Sequence, residues 1–172
     1  MRSSRYLRRC RYLIDNGCKL AIDADTVPAV KTPAELTELF RARGLKVTPQ
    51  RQAIFRALHG EKAHPTAEWV YEAVGKSMPT ISLRTVYQTL NDLAAMGEVQ
   101  ALDLGTGSAR FDPNIDAHHH LVCDECGRVV DVYADASALR VSGAQRHGFT
   151  ISSTEVVFRG TCPTCKRKEV DA

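Results

Sequence analysis

The segment DAHHHLVCDECG, residues 116–127, places three histidines and two cysteines within twelve positions. A second cysteine pair, Cys162 and Cys165, is separated by 35 residues from the first, Cys123 and Cys126. A CxxC turn presents two thiolates to one ion, and zinc closes a structural site with four such donors at about 2.3 Å. The four cysteines therefore predict one structural Zn(II) that ties together the two ends of a domain. A redox dithiol of thioredoxin type needs a single CxxC at a helix start, so two pairs fit it poorly. A zinc deaminase carries HxE followed by PCxxC. Here HxE occurs as His59-Gly60-Glu61, far from either pair, and neither CxxC follows a proline.

The histidines ask for a different ion. In an extended chain side chains alternate, so His118 and His120 share one face while His119, Leu121 and Cys123 share the other. Two imidazoles alone bind weakly, and further donors are at hand. Asp112 closes SARFD, Asp131 sits in RVVDV, and His64 precedes a helix in the first half of the chain. His64, Asp112, His118, His120 and Asp131 make a nitrogen and oxygen set that suits a regulatory Fe(II) or Mn(II), with Zn(II) as competitor. Asp116 reads as a turn residue, His59 as a helix terminus, and His119 and His147 as solvent-facing.

Four helical segments must position the first half. TPAELTELFRARG has Thr32 as cap, Pro33 in the first turn, Leu36, Leu39 and Phe40 on one face and Gly44 as stop. Thr48 and Pro49 open a second helix with Ile54, Ala57 and Leu58 inward. Thr66 opens a third with Trp69, Val70 and Val74 at helical spacing, and Ser82 a fourth with Val86, Leu90 and Leu93. After Gly97 the apolar period falls to two: EVQALDL and SARFD flank GTG and predict a β-hairpin. Helix-turn-helix plus hairpin is a winged helix. Beyond it HLVC, RVVDVYA and TISSTEVVFRG read as strands, and ASALRVSGAQRHG as a helix. The expected fold is α+β. Residues 1–31 form an N-terminal extension expected to be disordered, 32–115 a winged helix-turn-helix DNA-binding domain, and 116–172 a small α/β dimerisation domain that binds metal.

The composition is that of an ordinary globular chain, 44% hydrophobic and 25% charged, with no apolar run long enough for a bilayer and no secretory leader. A cytoplasmic protein without a membrane partner is the expectation. The formal charge of +3 resides in residues 1–30, which carry six Lys/Arg against three Asp/Glu; that arm, which also holds Cys10 and Cys18, reads as a basic DNA-touching extension or an upstream start. Residues 31–60 hold six basic and two acidic residues, residues 98–172 eight and eleven. A basic first half and an acidic second half suit nucleic acid at one end and cations at the other. In a winged helix the N-terminal half of the recognition helix reaches base edges. That nominates Arg84, Thr85, Tyr87 and Gln88 for bases or sugars, and Lys46 and Arg51 for the backbone or minor groove.

TPQR (48–51), HPTAEWVY (64–71), RTVYQTL (84–90), HHHLVC (118–123) and CPTC (162–165), in this order, resemble the ferric uptake regulator family over residues 32–168. SARFD and VVD look most like its peroxide-sensing PerR branch, in which residues matching His64, Asp112, His118, His120 and Asp131 hold the regulatory ion. The resemblance implies a homodimeric repressor, not an enzyme, that binds double-stranded DNA at a palindromic operator and takes no small-molecule substrate. It further implies that Fe(II) and peroxide would oxidise His64 or His118. An iron-uptake regulator is the alternative within the family; a zinc-stapled structural module or a zinc enzyme is the alternative outside it.

Overall fold

The computed structural model describes residues 31–59, 61, 63–136 and 138–170. The expected extension over residues 1–30, with Cys10 and Cys18, lies outside the described residues. The architecture is α+β. It runs α1 (Pro33–Ala42), α2 (Pro49–Leu58), α3 (Ala67–Gly75), α4 (Leu83–Ala95), β1 (Gln100–Leu102), β2 (Arg110–Asp112), β3 (His119–Cys123), β4 (Val129–Val132), β5 (Val157–Gly160) and α5 (Pro163–Val170), with one 3₁₀ turn at Ala144–Arg146.

The helices begin where side-chain oxygens can satisfy their first free amides. Thr32, Thr48, Thr66 and Ser82 each accept from the amide three residues on, and Thr32 forms a reciprocal capping box with Glu35. Gly44 and Gly97 end α1 and α4 at φ of 71° and 74°, a backbone that L-residues with a Cβ adopt only with strain. The inner faces pack Leu36, Phe40, Ile54, Phe55, Leu58, Val70, Val86, Leu90 and Leu93 into one core, to which β2 adds Phe111. Phe40 and Phe55 meet edge to face at 4.8 Å. Trp69, expected inward, is 43% exposed: Ala67, Val70 and Val74 already fill the inner face of this short helix.

β1 and β2 form the antiparallel hairpin, with Ala101 opposite Phe111. The second sheet has the order β4-β3-β5, with β4 antiparallel and β5 parallel to β3. Among the described residues its buried apolar cluster comprises Leu102, Leu104, Val122 and Val129. Among the described residues of 136–148 the expected α-helix does not form, and a 3₁₀ turn stands at Ala144–Arg146. Ser142 and Gly143 interrupt the segment, and Leu139 and Val141 remain exposed, so no buried apolar stripe supports helical hydrogen bonding. The strand expected over 150–160 shortens to β5. Among the described residues no helix is long and apolar enough to cross a membrane.

Candidate metal centres and nucleic-acid interface

Cys123 ends β3, Cys126 lies in the turn before β4, and Cys162 and Cys165 flank the start of α5. The parallel pairing of β5 with β3, which sets Gly160 beside Cys123, brings the two CxxC turns together. All four sulfurs lie within 4.8 Å of one another. Cys126 and Cys162 are 3.8 Å apart, about the sulfur–sulfur edge of a tetrahedron with 2.3 Å bonds. The Cys162 amide donates to the Cys123 sulfur at 3.3 Å. With the amides of Cys126 and Glu125, it lowers the Cys123 thiol below its ordinary range, whereas Cys162 and Cys126 push Cys165 up to about 12. Four sulfurs so close do not all ionise without a cation among them. The set fits Zn(II).

The second cluster is assembled from both halves of the chain. His64 precedes the Thr66 cap of α3, Asp112 ends β2, His118 and His120 alternate onto one face of β3, and Asp131 is the register partner of His120 on β4. One donor atom from each lies within 4.8 Å of all the others. The three imidazoles all turn Nε2 inward. His118 Nε2 is 2.9 Å from Asp112 Oδ2 and 3.0 Å from His120 Nε2. His64 Nε2 is 2.8 Å from Asp131 Oδ1, yet both atoms are buried without a hydrogen-bond partner among the described residues. Such close but misaligned polar atoms point at a shared centre rather than at each other. Buried polar atoms without hydrogen bonds are costly, so the donors present fit a cation, and their nitrogen and oxygen chemistry fits Fe(II) or Mn(II).

Burial alone would raise the Asp112 carboxyl. The His118, His120 and His64 imidazoles gathered around it and the hydrogen bond from the Asn114 amide more than offset this, and hold the group well below the usual carboxylate range. Burial likewise works against protonated His118, but Asp112, the Asp116 carbonyl and the Asp131 charge prevail and raise it to about 9. A cation at this centre therefore competes with a proton held by His118.

Several neighbours had no legible signal in the chain. The buried Asn114 side chain donates to Asp131 Oδ2 at 2.7 Å and to the Tyr133 hydroxyl at 2.8 Å. Glu155 Oε1 lies 3.0 Å from His120 Nδ1. Arg110 donates to the His64 carbonyl at 3.1 Å, and Phe111 donates to the Pro65 carbonyl. These contacts hold His64 at φ 48°, a left-handed conformation rare for a residue with a side chain. His119, expected to face solvent, is buried at 9% exposure because Nδ1 accepts the Val156 amide of the segment leading into β5. His147 is exposed, Asp116 lies in the turn before β3, and His59 caps the end of α2, as expected.

Of the residues nominated for DNA, Arg84 and Gln88 are exposed near the start of α4, and Lys46 is exposed between α1 and α2. The others are engaged internally. Arg51 pairs with Asp92 at 2.7 Å and stacks over Phe40; Gln88 also donates to Asp92; the Tyr87 hydroxyl donates to Glu68 at 2.7 Å; and Thr85 meets Ser82.

A helix-turn-helix with a hairpin wing, joined through shared ligands to a small sheet closed by four cysteines, defines the class of metal-dependent DNA-binding regulators. Residues 42–159 match the ferric uptake regulator family. The chain belongs to that family, whose regulators are dimeric DNA-binding proteins. It is 35% identical over 129 residues to the peroxide-responsive repressor PerR of Staphylococcus aureus, covering 74% of this chain and 87% of that protein. Among solved structures it resembles a zinc-bound manganese uptake regulator, with a TM-score of 0.59 and 27% identity over 77% of this chain and 99% of the other. It also resembles the ferric uptake regulator of Pseudomonas aeruginosa with manganese, with a TM-score of 0.53 and 30% identity over 73% and 96%.

Proposed function

We propose that the chain is a cytoplasmic, homodimeric repressor, not an enzyme, that binds a palindromic operator when Fe(II) or Mn(II) is held by His64, Asp112, His118, His120 and Asp131. Cys123, Cys126, Cys162 and Cys165 hold a separate structural Zn(II). The observation that carries the reading is the convergence of donors from both halves: His64 comes from the helical half, and His118, His120 and Asp131 from the sheet half. Occupancy then favours one relative arrangement of the 32–115 and 116–172 regions, which sets the spacing of the two recognition helices. Val130, Leu121 and Phe158 lie in register across the sheet and expose an apolar strip suited to a second copy. Arg84, Thr85, Tyr87 and Gln88, with Lys46 and Arg51, form the DNA-facing set; Arg51, Tyr87 and Gln88 exchange internal partners for DNA on binding.

Peroxide is the proposed signal, supported by the likeness to PerR and by Asp112 and Asp131. A bound Fe(II), held by His64, Asp112, His118, His120 and Asp131, would supply the one-electron reduction that splits hydrogen peroxide. His64 and His118 are the imidazoles proposed to take up one oxygen, a two-electron oxidation in which one peroxide is consumed and one water released, after which the donor set is broken and the operator is released. The test is operator binding with no metal, Mn(II), Fe(II) or Zn(II), before and after peroxide, followed by mass spectrometry of the histidine peptides. One added oxygen on His64 or His118 in the iron form, and none in the manganese form, is expected. Iron-dependent binding that persists after peroxide with unmodified histidines would instead assign the chain to iron-availability sensing.

A further inference from the structure

The three inward-facing imidazoles are supported from behind in three different ways. His118 Nδ1 donates to the Asp116 backbone carbonyl at 2.8 Å. His64 Nδ1 is buried and has no hydrogen-bond partner among the described residues. His120 alone is backed by a carboxylate, Glu155 Oε1, at 3.0 Å from Nδ1. From this contact we infer that Glu155 is a positioning residue for the metal centre: it fixes His120 as the Nδ1–H tautomer, with the Nε2 lone pair aimed at the cluster. The inference deepens the proposed function and rests on His120 being a ligand.

The geometry gives Glu155 a task that its burial does not. Its side chain is 48% exposed, so the carboxylate stays hydrated and contributes little to the core. The backbone beside it is fixed to the same strand: the His120 amide donates to the Val156 carbonyl at 3.1 Å, the Val156 amide donates to His119 Nδ1, and His120 is the register partner of Val157. These bonds locate Glu155 behind His120 without any contribution from its own side chain. A carboxylate accepting the remote N–H of an imidazole sets the tautomer and ring orientation and raises the basicity of the other nitrogen. Without it, Nε2 carries the proton in part of the population, and that part cannot act as a donor toward a cation.

The experiment uses the full zinc-loaded chain and Mn(II) as probe. Glu155→Ala should weaken Mn(II) binding, read by the electron paramagnetic resonance of free Mn(II), by about 10- to 100-fold. Zinc content and the melting temperature of the manganese-free protein should stay unchanged. Glu155→Gln keeps a side-chain oxygen that accepts from Nδ1, and should recover most of the loss. In the manganese-free protein the His120 ring should read as Nδ1–H by its ¹⁵N shifts, and as a mixture of tautomers in Glu155→Ala; a merely structural role would not move this signal. His120→Ala is the control for the site itself. If it abolishes Mn(II) binding while Glu155→Ala leaves affinity within twofold and the tautomer unchanged, the role of Glu155 is overturned and the site stands. If neither substitution affects binding, the site reading and the role of Glu155 fall together.

Discussion

The helical half and the sheet half of this molecule are held together by different chemistry. In the first, residues from all four helices and β2 interlock in one apolar core, and burying each large side chain contributes roughly 1.5–3 kcal/mol. In the second, the buried apolar cluster among the described residues comprises Leu102, Leu104, Val122 and Val129, two of them lent by the hairpin. Phe149, Leu139 and Ile151 stay exposed. A unit with so little to bury needs a cross-link or a metal to remain folded, and the four cysteines stand at the junction of β3, β4 and α5 where one is needed. The contrast fits unlike work for the two ligand clusters under the proposed function: one would replace a missing core, and the other would couple the two halves.

The largest effect should follow from opening the cysteine cluster. Cys126→Ser or Cys162→Ser should remove one zinc per chain and lower the melting temperature of the sheet half by more than about 10 °C, since loss of a structural metal is among the few changes that cost above 4 kcal/mol. The helical circular dichroism of residues 32–95 should survive. Retention of zinc, dimer and melting temperature in either variant would remove the contrast between the halves.

Asp112→Asn should act on the coupling instead. Mn(II) affinity should drop by more than about 100-fold, measured by titration calorimetry, with the cysteine-bound zinc retained. Concomitant loss of zinc would mean that the two clusters are not separable.

A pH effect comes next in size. With zinc bound and the second cluster free of metal, His118 has a folded-state value raised to about 9. Its stabilising contribution is complete below its ordinary value of about 6.5, and is lost as pH rises through about 9. The protein should therefore melt higher at pH 6.5 than at pH 9.5, and His118→Ala should flatten that difference. An equal or reversed order in the native chain would dissociate the raised imidazole from stability.

The smallest effect concerns DNA alone. Arg84→Ala should weaken operator binding by about 1–3 kcal/mol at fixed salt and relax preference at one base position, while metal content and melting stay constant. Unchanged affinity would remove Arg84 from the interface.

Much of the helical half was legible in the chain because its signals are local: a threonine or serine cap, a proline in the first turn, an apolar stripe and a glycine stop all fall within a few residues. The cysteine cluster was legible because CxxC is itself a geometric unit. The gathering of His64, Asp112, His118, His120 and Asp131 could be anticipated from chemistry and family likeness, but Glu155 and Asn114 could not. Their roles depend on the parallel placement of β5 on β3 and on the turn after β2, pairings that no periodicity encodes. The absent helix over 136–148 and the burial of His119 have the same origin. Whether Leu139 and Val141 found a surface to cover, and whether His119 met the Val156 amide, was decided by tertiary contacts rather than by local preference.

The backbone of His64 bears on the order in which the molecule comes apart. A side-chain-bearing residue at φ 48° costs on the order of 1–3 kcal/mol and persists only because its surroundings over-determine it. Here the surroundings are two hydrogen bonds from β2, Arg110 to the His64 carbonyl and Phe111 to the Pro65 carbonyl. The same strand ends in Asp112. A breathing motion that lifts this three-residue strand by one hydrogen bond frees the His64 backbone to relax and carries Asp112 with it, whereas His118, His120 and Asp131 remain on β3, its lead-in and β4. In native-state hydrogen exchange the Phe111 amide should therefore open before the β3 amides, making the hairpin an early-opening edge and His64 and Asp112 the first donors to depart.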